Sequence, residues 1–270
     1  MNNICQNYLP ISPWEKVITS RLPGIQPLEN IDLLYLQDDA FNSQMSYRDL
    51  LIKEKRSEVY QLSKKALPSA QELLESILVI LKKNSRYKIF SDRVQRPDNR
   101  VIFLNEDNPI IVAGRIVQED LLILQWNSSS QEHILNGGIL CFPALWKLEE
   151  KINKPLSRIH KPVIPYDNKV TKSVQRMFNN LKVDRPLWRA NWYLYDNPEL
   201  FTPLTEKFSH TTRKEYFDGE FWIRVERQTL TRLPNTKSIV FGIHTYVVNK
   251  KNLNKQQISS LKEFNFKKKN

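Results

Sequence analysis

The sequence predicts an α+β protein with a mainly antiparallel sheet and flanking helices, and two kinds of pattern support this class. Apolar residues recur at helical spacing in some segments, and short apolar runs separated by polar turns recur in others. Several strands with helices inserted between them are typical of an α+β domain. The length of 270 residues fits one large domain, and the 40% of hydrophobic residues suffices for a core.

Three segments predict helices. Asp49–Leu62 has an amphipathic pattern. A core helix is expected after Pro68, a residue that suits the first turn, and it continues with apolar residues at helical spacing to Leu81. The segment Asp167–Leu181 predicts a third helix, because its apolar residues fall on one face and its lysines outside it.

Short apolar runs predict the strands. The runs are Val101–Leu104, Ile110–Val112, Leu121–Trp126, His133–Phe142, Arg189–Tyr195, Glu220–Arg227 and Ser238–Val248. The pair Gly137-Gly138 predicts a bulge or a close approach of backbone. We divide the chain into an irregular N-terminal extension packed on the domain (1–60), the domain itself (61–249) and a basic C-terminal tail (250–270). We expect the end of this tail, KEFNFKKKN at 262–270, to be solvated or disordered.

The net charge of +12 is concentrated in two segments. Residues 151–195 hold ten Lys or Arg and two Asp, and residues 250–270 hold seven Lys and one Glu, so the remainder sums to −2. The first segment fits a nucleic-acid patch, a docking face for an acidic electron-transfer partner, compensation for the carboxylates of a cofactor, or a plain solvated face. Charge alone leaves these alternatives open.

Other features bear on the cellular setting. No run of about 18 apolar residues predicts a spanning helix, and the N-terminus lacks the pattern of a secretory signal. Cys5 and Cys141 form neither a metal-ligand spacing nor a disulfide framework. We therefore expect a cytoplasmic protein with no membrane association.

Six stretches occur in an order and at distances that resemble the haem-dependent oxidative N-demethylase family, from roughly Tyr8 to Val248. They are Val117–Leu121, Cys141–Trp146, Ile159–Val163, Arg189–Trp192, Arg224–Leu230 and Arg232–Pro234. The IH-x-PV sequence at Ile159 and the ERQTL sequence at Glu226 are the most distinctive. This chain departs from the family pattern after the histidine, where Ile164 and Pro165 stand in place of proline and glycine.

The resemblance implies a fold, a cofactor and a reaction. It implies a PAS-like antiparallel sheet around a b-type haem. It further implies a monooxygenase that converts a small secondary amine, such as dimethylamine, to a primary amine and formaldehyde. Dioxygen is the co-substrate, and electrons are expected from NADPH through separate flavin and iron–sulfur partner proteins.

His160 is the expected axial ligand of the haem iron. A cytosolic haem protein with few cysteines takes a histidine ligand most readily, and Pro162 and Pro165 would hold the ring rigidly. The structural alternative is a histidine that caps the following helix or bonds a backbone carbonyl. His244 is the second candidate, while His133 and His210 fit less well because they lie in polar surroundings.

The strand at 221–227 carries the remaining site candidates. A two-residue period places Trp222, Arg224 and Glu226 on one face and Ile223, Val225 and Arg227 on the other. We expect Arg224 and Arg227 to bind the haem propionates, since a guanidinium fork suits a carboxylate. Arg227 and Glu226 are the expected catalytic residues, although Glu226 could instead simply pair with Arg224.

A cationic amine needs an anion or strong acceptor in an otherwise apolar pocket, and aromatic faces can add attraction. Glu226, Trp192 and Tyr246 are the expected substrate-binding residues. Two other functions remain open: a non-catalytic haem protein that senses gas, and a basic nucleic-acid-binding protein, for which the chain carries no known motif. A hydrolase lacks support because no nucleophile elbow, P-loop or metal-ligand cluster is present.

Overall fold

A seven-stranded antiparallel sheet is the centre of the fold. The computed structural model describes residues 4–15, 24–160, 168–205 and 219–269. Within these ranges the strands are β1 (Gln26–Pro27), β2 (Tyr60–Leu62), β3 (Lys88–Ile89), β4 (Arg93–Gln95), β5 (Val101–Phe103), β6 (Asp120–Asn127), β7 (Glu132–Ile139), β8 (Leu187–Tyr195), β9 (Trp222–Arg232) and β10 (Ile239–Asn249). The large sheet has the order β1-β8-β9-β10-β6-β7-β2, and β3-β4-β5 form a small second sheet. The α+β class is confirmed.

Helices cover both sides of this sheet. In the described part of the chain they are α1 (Phe41–Glu54), α2 (Arg56–Val59), α3 (Leu67–Leu81), α4 (Pro109–Ile116), α5 (Leu148–Lys151), α6 (Leu156–His160), α7 (Asn168–Asn180) and α8 (Lys255–Lys269). The predicted core helix corresponds to α3, with Pro68 in its first turn, and the third predicted helix corresponds to α7. None of the helices described is long and apolar enough to cross a membrane.

The predicted strand at Ile110–Val112 is wrong, because this segment lies in helix α4. The Asn108 side chain accepts a hydrogen bond from the Ile110 amide at 3.3 Å, and Pro109 occupies the first turn. Nearly the whole helix is buried, so it needs no polar face. A short apolar run without periodicity does not distinguish a buried helix from a buried strand.

The predicted helix at Asp49–Leu62 is right only in part. Helix α1 ends at Glu54, the single-turn α2 follows, and Tyr60–Leu62 forms strand β2. This strand pairs with β7 at Gly137 and Gly138, and added Cβ atoms there would overlap the side chains of Leu62 and Leu122. The predicted close approach at the glycine pair is therefore confirmed, and tertiary pairing overrides the local helical pattern.

Three clusters of buried side chains hold the helices to the sheet. The largest cluster lies beneath α1, α3 and α4 and includes Phe41, Leu73 and Ile123. A second cluster lies between α5–α7 and the opposite face and includes Phe178 and Leu230. The third joins the N-terminal residues and α8 to β8–β10.

The last residues continue helix α8 to Lys269 and so do not form the disordered end that the charge pattern predicts for 262–270, although Lys262 and Glu263 are exposed to solvent as expected. Leu253 and Leu261 are buried, and Phe264 lies edge-on to Trp192 with 5.5 Å between ring centroids. Apolar residues on one side of the lysine-rich α8 explain this packing. The division of the chain at residues 60 and 249 stays a prediction, although α1, which precedes the first boundary, belongs to the main core.

A buried ion cluster ties the N-terminal segment to the sheet. His244 Nδ1 lies 3.0 Å from Glu119 Oε1, and its Nε2 lies 3.0 Å from Asp38 Oδ2. These two carboxylates raise the pKa of His244 to about 9 against the opposing effect of burial, so the imidazole is charged at neutral pH. The Gln6 side chain extends the cluster, since its Nε2 donates to Asp38 at 2.7 Å.

The His244 cluster predicts a loss of stability at alkaline pH. The pKa of His244 rises from 6.5 to about 9 on folding, so its contribution is complete below pH 6.5 and is lost as the pH rises through 9. We expect His244→Gln to lower the free energy of unfolding on the order of 3 kcal/mol at pH 6.5. Denaturant titrations should show this gap shrinking by pH 9.5; a gap of constant size would contradict the assignment.

Helix α3 offers a test of the main core with a matched control. Leu73 is 1% exposed, whereas Val79 on the same helix is 62% exposed. We expect Leu73→Ala to reduce the free energy of unfolding by about 2–5 kcal/mol, because it leaves a cavity. Val79→Ala should change it by less than about 0.5 kcal/mol. Equal effects of the two substitutions in denaturant titrations would show that α3 is not packed as described.

Candidate functional site

The central strand β9 divides its polar side chains between the two faces of the sheet. Arg224, Glu226 and Gln228 point to one face, and Arg227 points to the other, because side chains alternate along a strand. Leu230 continues the first face and belongs to the cluster beneath α5–α7. The predicted separation of Arg224 and Glu226 from Arg227 is thus seen in the structure.

Polar residues of neighbouring strands extend the first face. In β8, Arg189 lies opposite Gln228, Asn191 opposite Glu226, and Tyr193 opposite Arg224. In β10, Thr245 lies opposite Glu226 from the other side. Cross-strand partners share a face of the sheet. We call the set of Arg189, Asn191, Tyr193, Arg224, Glu226, Gln228 and Thr245 the polar face.

Glu226 is a buried carboxyl group at the centre of the polar face. Its side chain accepts a hydrogen bond from Gln228 Nε2 at 3.1 Å and lies 3.4 Å from Arg224 Nη2. Burial raises the pKa of Glu226, and the neighbouring guanidinium of Arg224 only partly opposes this. A buried carboxyl with a raised pKa between polar neighbours is typical of functional sites.

Arg189 is a site residue that the sequence reasoning missed. Burial lowers the pKa of its guanidinium, which interacts electrostatically with Glu226 and with His160. Its Nη2 donates to Asn191, while its Nε is buried and has no hydrogen-bond partner among the described residues. Side chains alternate along β8, so Arg189 and Asn191 lie on one face, and this two-residue spacing is the sequence feature that could have identified Arg189.

His160 lies at the end of helix α6, on the same side of the sheet. Its Nδ1 is 2.9 Å from the Leu156 carbonyl oxygen, which can only accept, so Nδ1 carries the proton. Burial, together with the charges of Lys151 and Arg189, lowers the pKa of His160 to about 4. The ring is therefore neutral at physiological pH and has an unprotonated Nε2.

The predicted alternatives for His160 are compatible with each other. The ring does bond a backbone carbonyl, as the structural alternative proposed. That bond fixes the tautomer whose other nitrogen can coordinate a metal ion. Residues 161–167, which include Pro162 and Pro165, lie outside the described residues.

Arg224 connects two loops to the polar face. Its Nη1 donates to the Leu200 carbonyl at 3.1 Å, and its Nη2 donates to the Phe142 carbonyl at 2.5 Å. The loop that contains Phe142 is also held by Asp120, whose carboxylate accepts hydrogen bonds from the amides of Cys141 and Phe142. Most of the hydrogen-bonding capacity of Arg224 is thus used within the fold, leaving only Nε without a partner among the described residues.

Three predicted site residues lie on the opposite face. Arg227 Nη2 donates to the Leu33 carbonyl at 2.8 Å, and its guanidinium stacks over Trp188. Trp192 packs edge-on against Trp14, and Tyr246 lies 4.7 Å from the His244 ring. The structure does not bring Arg227, Trp192 or Tyr246 together with His160, because the two-residue period directs them away from it.

Of the other described histidines, His244 is unsuited to bind a metal ion, because both of its ring nitrogens lie against carboxylates and its raised pKa leaves them protonated. His133 resembles His160 in that burial lowers its pKa and its Nδ1 bonds an oxygen acceptor, Gln175, at 2.8 Å. Its ring is enclosed between Trp126 and Phe178 and is 1% exposed, away from the polar face. His210 lies outside the described residues.

On a single side of the sheet the site therefore brings together the neutral imidazole of His160, the guanidinium of Arg189 and the buried carboxyl group of Glu226. The Thr245 hydroxyl adds a buried oxygen with no hydrogen-bond partner among the described residues. No group of three or more His, Cys, Asp or Glu side chains suited to a bare metal ion is found in those residues. Single-histidine ligation is characteristic of haem iron.

A comparison with family models covers most of the chain. The model described as haem-dependent oxidative N-demethylase, alpha subunit-like, matches residues 24–263. That range contains every strand of both sheets and the residues of the polar face. It also contains the distinctive sequences around His160 and Glu226. The chain belongs to the haem-dependent oxidative N-demethylase alpha-subunit-like family.

Proposed function

We propose that this protein is the haem-binding subunit of a monooxygenase that removes a methyl group from a small secondary amine. The observation that carries the proposal is the tautomer of His160, whose Nδ1–H is held by the Leu156 carbonyl. Family membership supports haem dependence and an oxidative demethylation. We further propose that the sheet is PAS-like and that the protein is cytoplasmic.

His160 would bind a b-type haem through Nε2. A haem ligand must be neutral before it coordinates iron, and the lowered pKa of His160 satisfies this at neutral pH. The bond from Nδ1 to a backbone carbonyl orients the ring and strengthens its basicity. When bound, the haem supplies dioxygen binding and the oxidation of the methyl group.

Arg189 would bind a haem propionate, a role that the sequence suggested for Arg224 and Arg227. Its buried Nε lacks a hydrogen-bond partner among the described residues, and a buried donor of this kind favours an anionic acceptor. Arg224 could contribute only its Nε, because its other nitrogens are bonded to carbonyls. Arg227 instead would fix the Leu33 region to the sheet.

Glu226 would bind the substrate ammonium group and accept its proton. A secondary amine is cationic near neutral pH, and a buried carboxylate offsets the cost of removing that charge from water. The raised pKa of Glu226 suits proton transfer to and from the amine. Gln228 and Arg224 would hold the carboxyl group in position.

The proposed reaction consumes one dioxygen, two electrons and two protons for each amine. Dimethylamine would give methylamine, formaldehyde and water, and all atoms balance. We propose that the electrons come from NADPH through separate flavin and iron–sulfur proteins. An alpha subunit implies partner chains, which is compatible with such a supply. Amine-dependent formaldehyde release with a reductase present tests the enzyme against a gas sensor, which would bind haem without releasing formaldehyde.

His160→Ala should abolish or strongly weaken haem binding. We expect the wild-type protein to show a Soret band after haem supplementation and the variant to lose it, because the only proposed axial ligand is gone. Added imidazole should restore a ligated spectrum. His133→Gln serves as the control and should retain the band, since His133 bonds Gln175. An unchanged spectrum of His160→Ala would overturn the assignment.

Glu226→Gln should weaken amine binding without loss of haem. We expect the dissociation constant for dimethylammonium to rise by about tenfold to a hundredfold, because a charge-assisted hydrogen bond is lost. Wild-type binding should also tighten as the pH rises through the pKa of Glu226, and the variant should lack that trend. Glu220→Gln at an exposed position is the matched control. Equal dissociation constants for all three proteins, measured by spectral titration, would contradict the role of Glu226.

A further inference from the structure

The side of the molecule that holds His160 also carries an excess of positive charge. Residues 168–195 contain six Lys or Arg and a single acidic residue, Asp184. These residues form helix α7, the turn after it and strand β8. This share of the excess charge therefore belongs to one contiguous part of the fold, and a separate share lies in residues 250–270.

Helix α7 has an apolar side and a basic side. Val174, Met177 and Phe178 pack into the cluster between the helix and the sheet. Lys172 and Arg176 are exposed on the other side, and Lys182 and Arg185 are exposed in the turn that follows. We call Lys172, Arg176, Lys182 and Arg185 the basic face.

The basic face lacks ion pairs among the described residues. Arginines near the small sheet behave differently: Arg56 pairs with Asp107, and Arg100 pairs with Asp49. Local carboxylates there neutralise much of the charge. On the basic face the exposed Asp184 is the single acidic residue of the segment, so most of the positive charge is left uncompensated there and can attract an anionic surface at a distance.

The basic face lies next to the candidate haem ligand. Helix α6 ends at His160, and α7 begins only eight residues later along the chain. Both helices belong to the cluster that covers the polar face, through Ile159 of α6 and Val174 of α7. A protein that docks on α7 would therefore approach the candidate site from the side of His160.

We propose that the basic face is the docking surface for an acidic electron-transfer protein. The inference rests on the proposed function, because only a redox enzyme needs such a partner. Complementary charge would speed association and orient the partner with its cofactor toward α6 and α7. Val183, which is 38% exposed in the turn between Lys182 and Arg185, offers a small apolar contact.

A nucleic acid is the other anionic macromolecule that such a surface could bind. The four residues of the basic face include no aromatic side chain for stacking on bases, and one exposed aromatic residue, Trp126, lies near α7, where it packs on His133. A compact basic patch beside a redox centre fits a protein partner better. Nucleic-acid binding is therefore one outcome of the test below.

The test compares two charge reversals of equal size. Lys172→Glu/Arg176→Glu changes the basic face, and Lys64→Glu/Lys65→Glu changes two exposed lysines beside Ala66, which belongs to the core on the opposite face. The probe is a fluorescently labelled plant-type [2Fe–2S] ferredoxin, an acidic protein. Its dissociation constant is measured at low and at about 0.1 M ionic strength, where the Debye length is near 10 Å. This binding measurement needs no haem.

We expect the dissociation constant at low salt to rise about tenfold or more for the basic-face variant and less than twofold for the control. The stopped-flow rate of haem reduction by reduced ferredoxin should fall in parallel, while reduction by dithionite should not change. Equal effects of the two variants, or binding that ignores salt, would overturn the proposal. The proposal would also be overturned if the wild-type protein bound duplex DNA or RNA in a salt-sensitive way, the basic-face variant alone lost this binding, and the dissociation constant for ferredoxin were the same in both. If the protein showed no Soret band but bound ferredoxin with the expected dependence on salt and on the basic face, the proposed haem function would fail and the docking surface would stand.

Discussion

Strand β9 sends alternate side chains to opposite faces of the sheet, and the rest of the site depends on this two-residue period. It sets Glu226 and Arg224 on the side of His160 and sends Arg227 to the side of His244. The same period in β8 and β10 adds Arg189 and Thr245 to the first side. Two charged clusters thus lie back to back, separated by a single layer of backbone.

The two clusters differ in the way that buried charge is balanced. On one side, His244 is charged and each of its ring nitrogens faces a carboxylate, so the charge of the imidazolium is balanced within the protein. On the other side, His160 is neutral and Glu226 has a raised pKa, so burial there opposes the charged form of both groups. A balanced ion cluster suits a structural role, whereas a carboxyl group with a raised pKa suits a role in binding.

Much of the architecture could be predicted from local pattern, because long amphipathic segments and alternating strands carry their own period. Helix α3 and strands β8–β10 are examples. The Ile110–Val112 segment could not be assigned, since a helix buried on all sides shows no polar face. The helical order of residues 262–269 was not expected, because lysines there outnumber the few apolar residues that hold α8 in place.

The site was predicted only in part, for a different physical reason. The alternation of Glu226 and Arg227 was readable from the sequence, but which face would meet His160 depends on packing between residues far apart in the chain. Grouping Arg227, Trp192 and Tyr246 with Glu226 ignored that period. Arg189 was overlooked because its importance comes from burial and from its neighbours, neither of which a single sequence displays.

The Trp14 indole lies where both end segments of the described chain meet the sheet. It donates to Ser260 of α8 at 2.9 Å and packs edge-on against Trp192 of β8. Its emission should respond when either segment detaches, whereas events at the far face would reach it only through the sheet. Trp14 is one of six tryptophan fluorophores in the chain, and it contacts both α8 and β8 through Ser260 and Trp192.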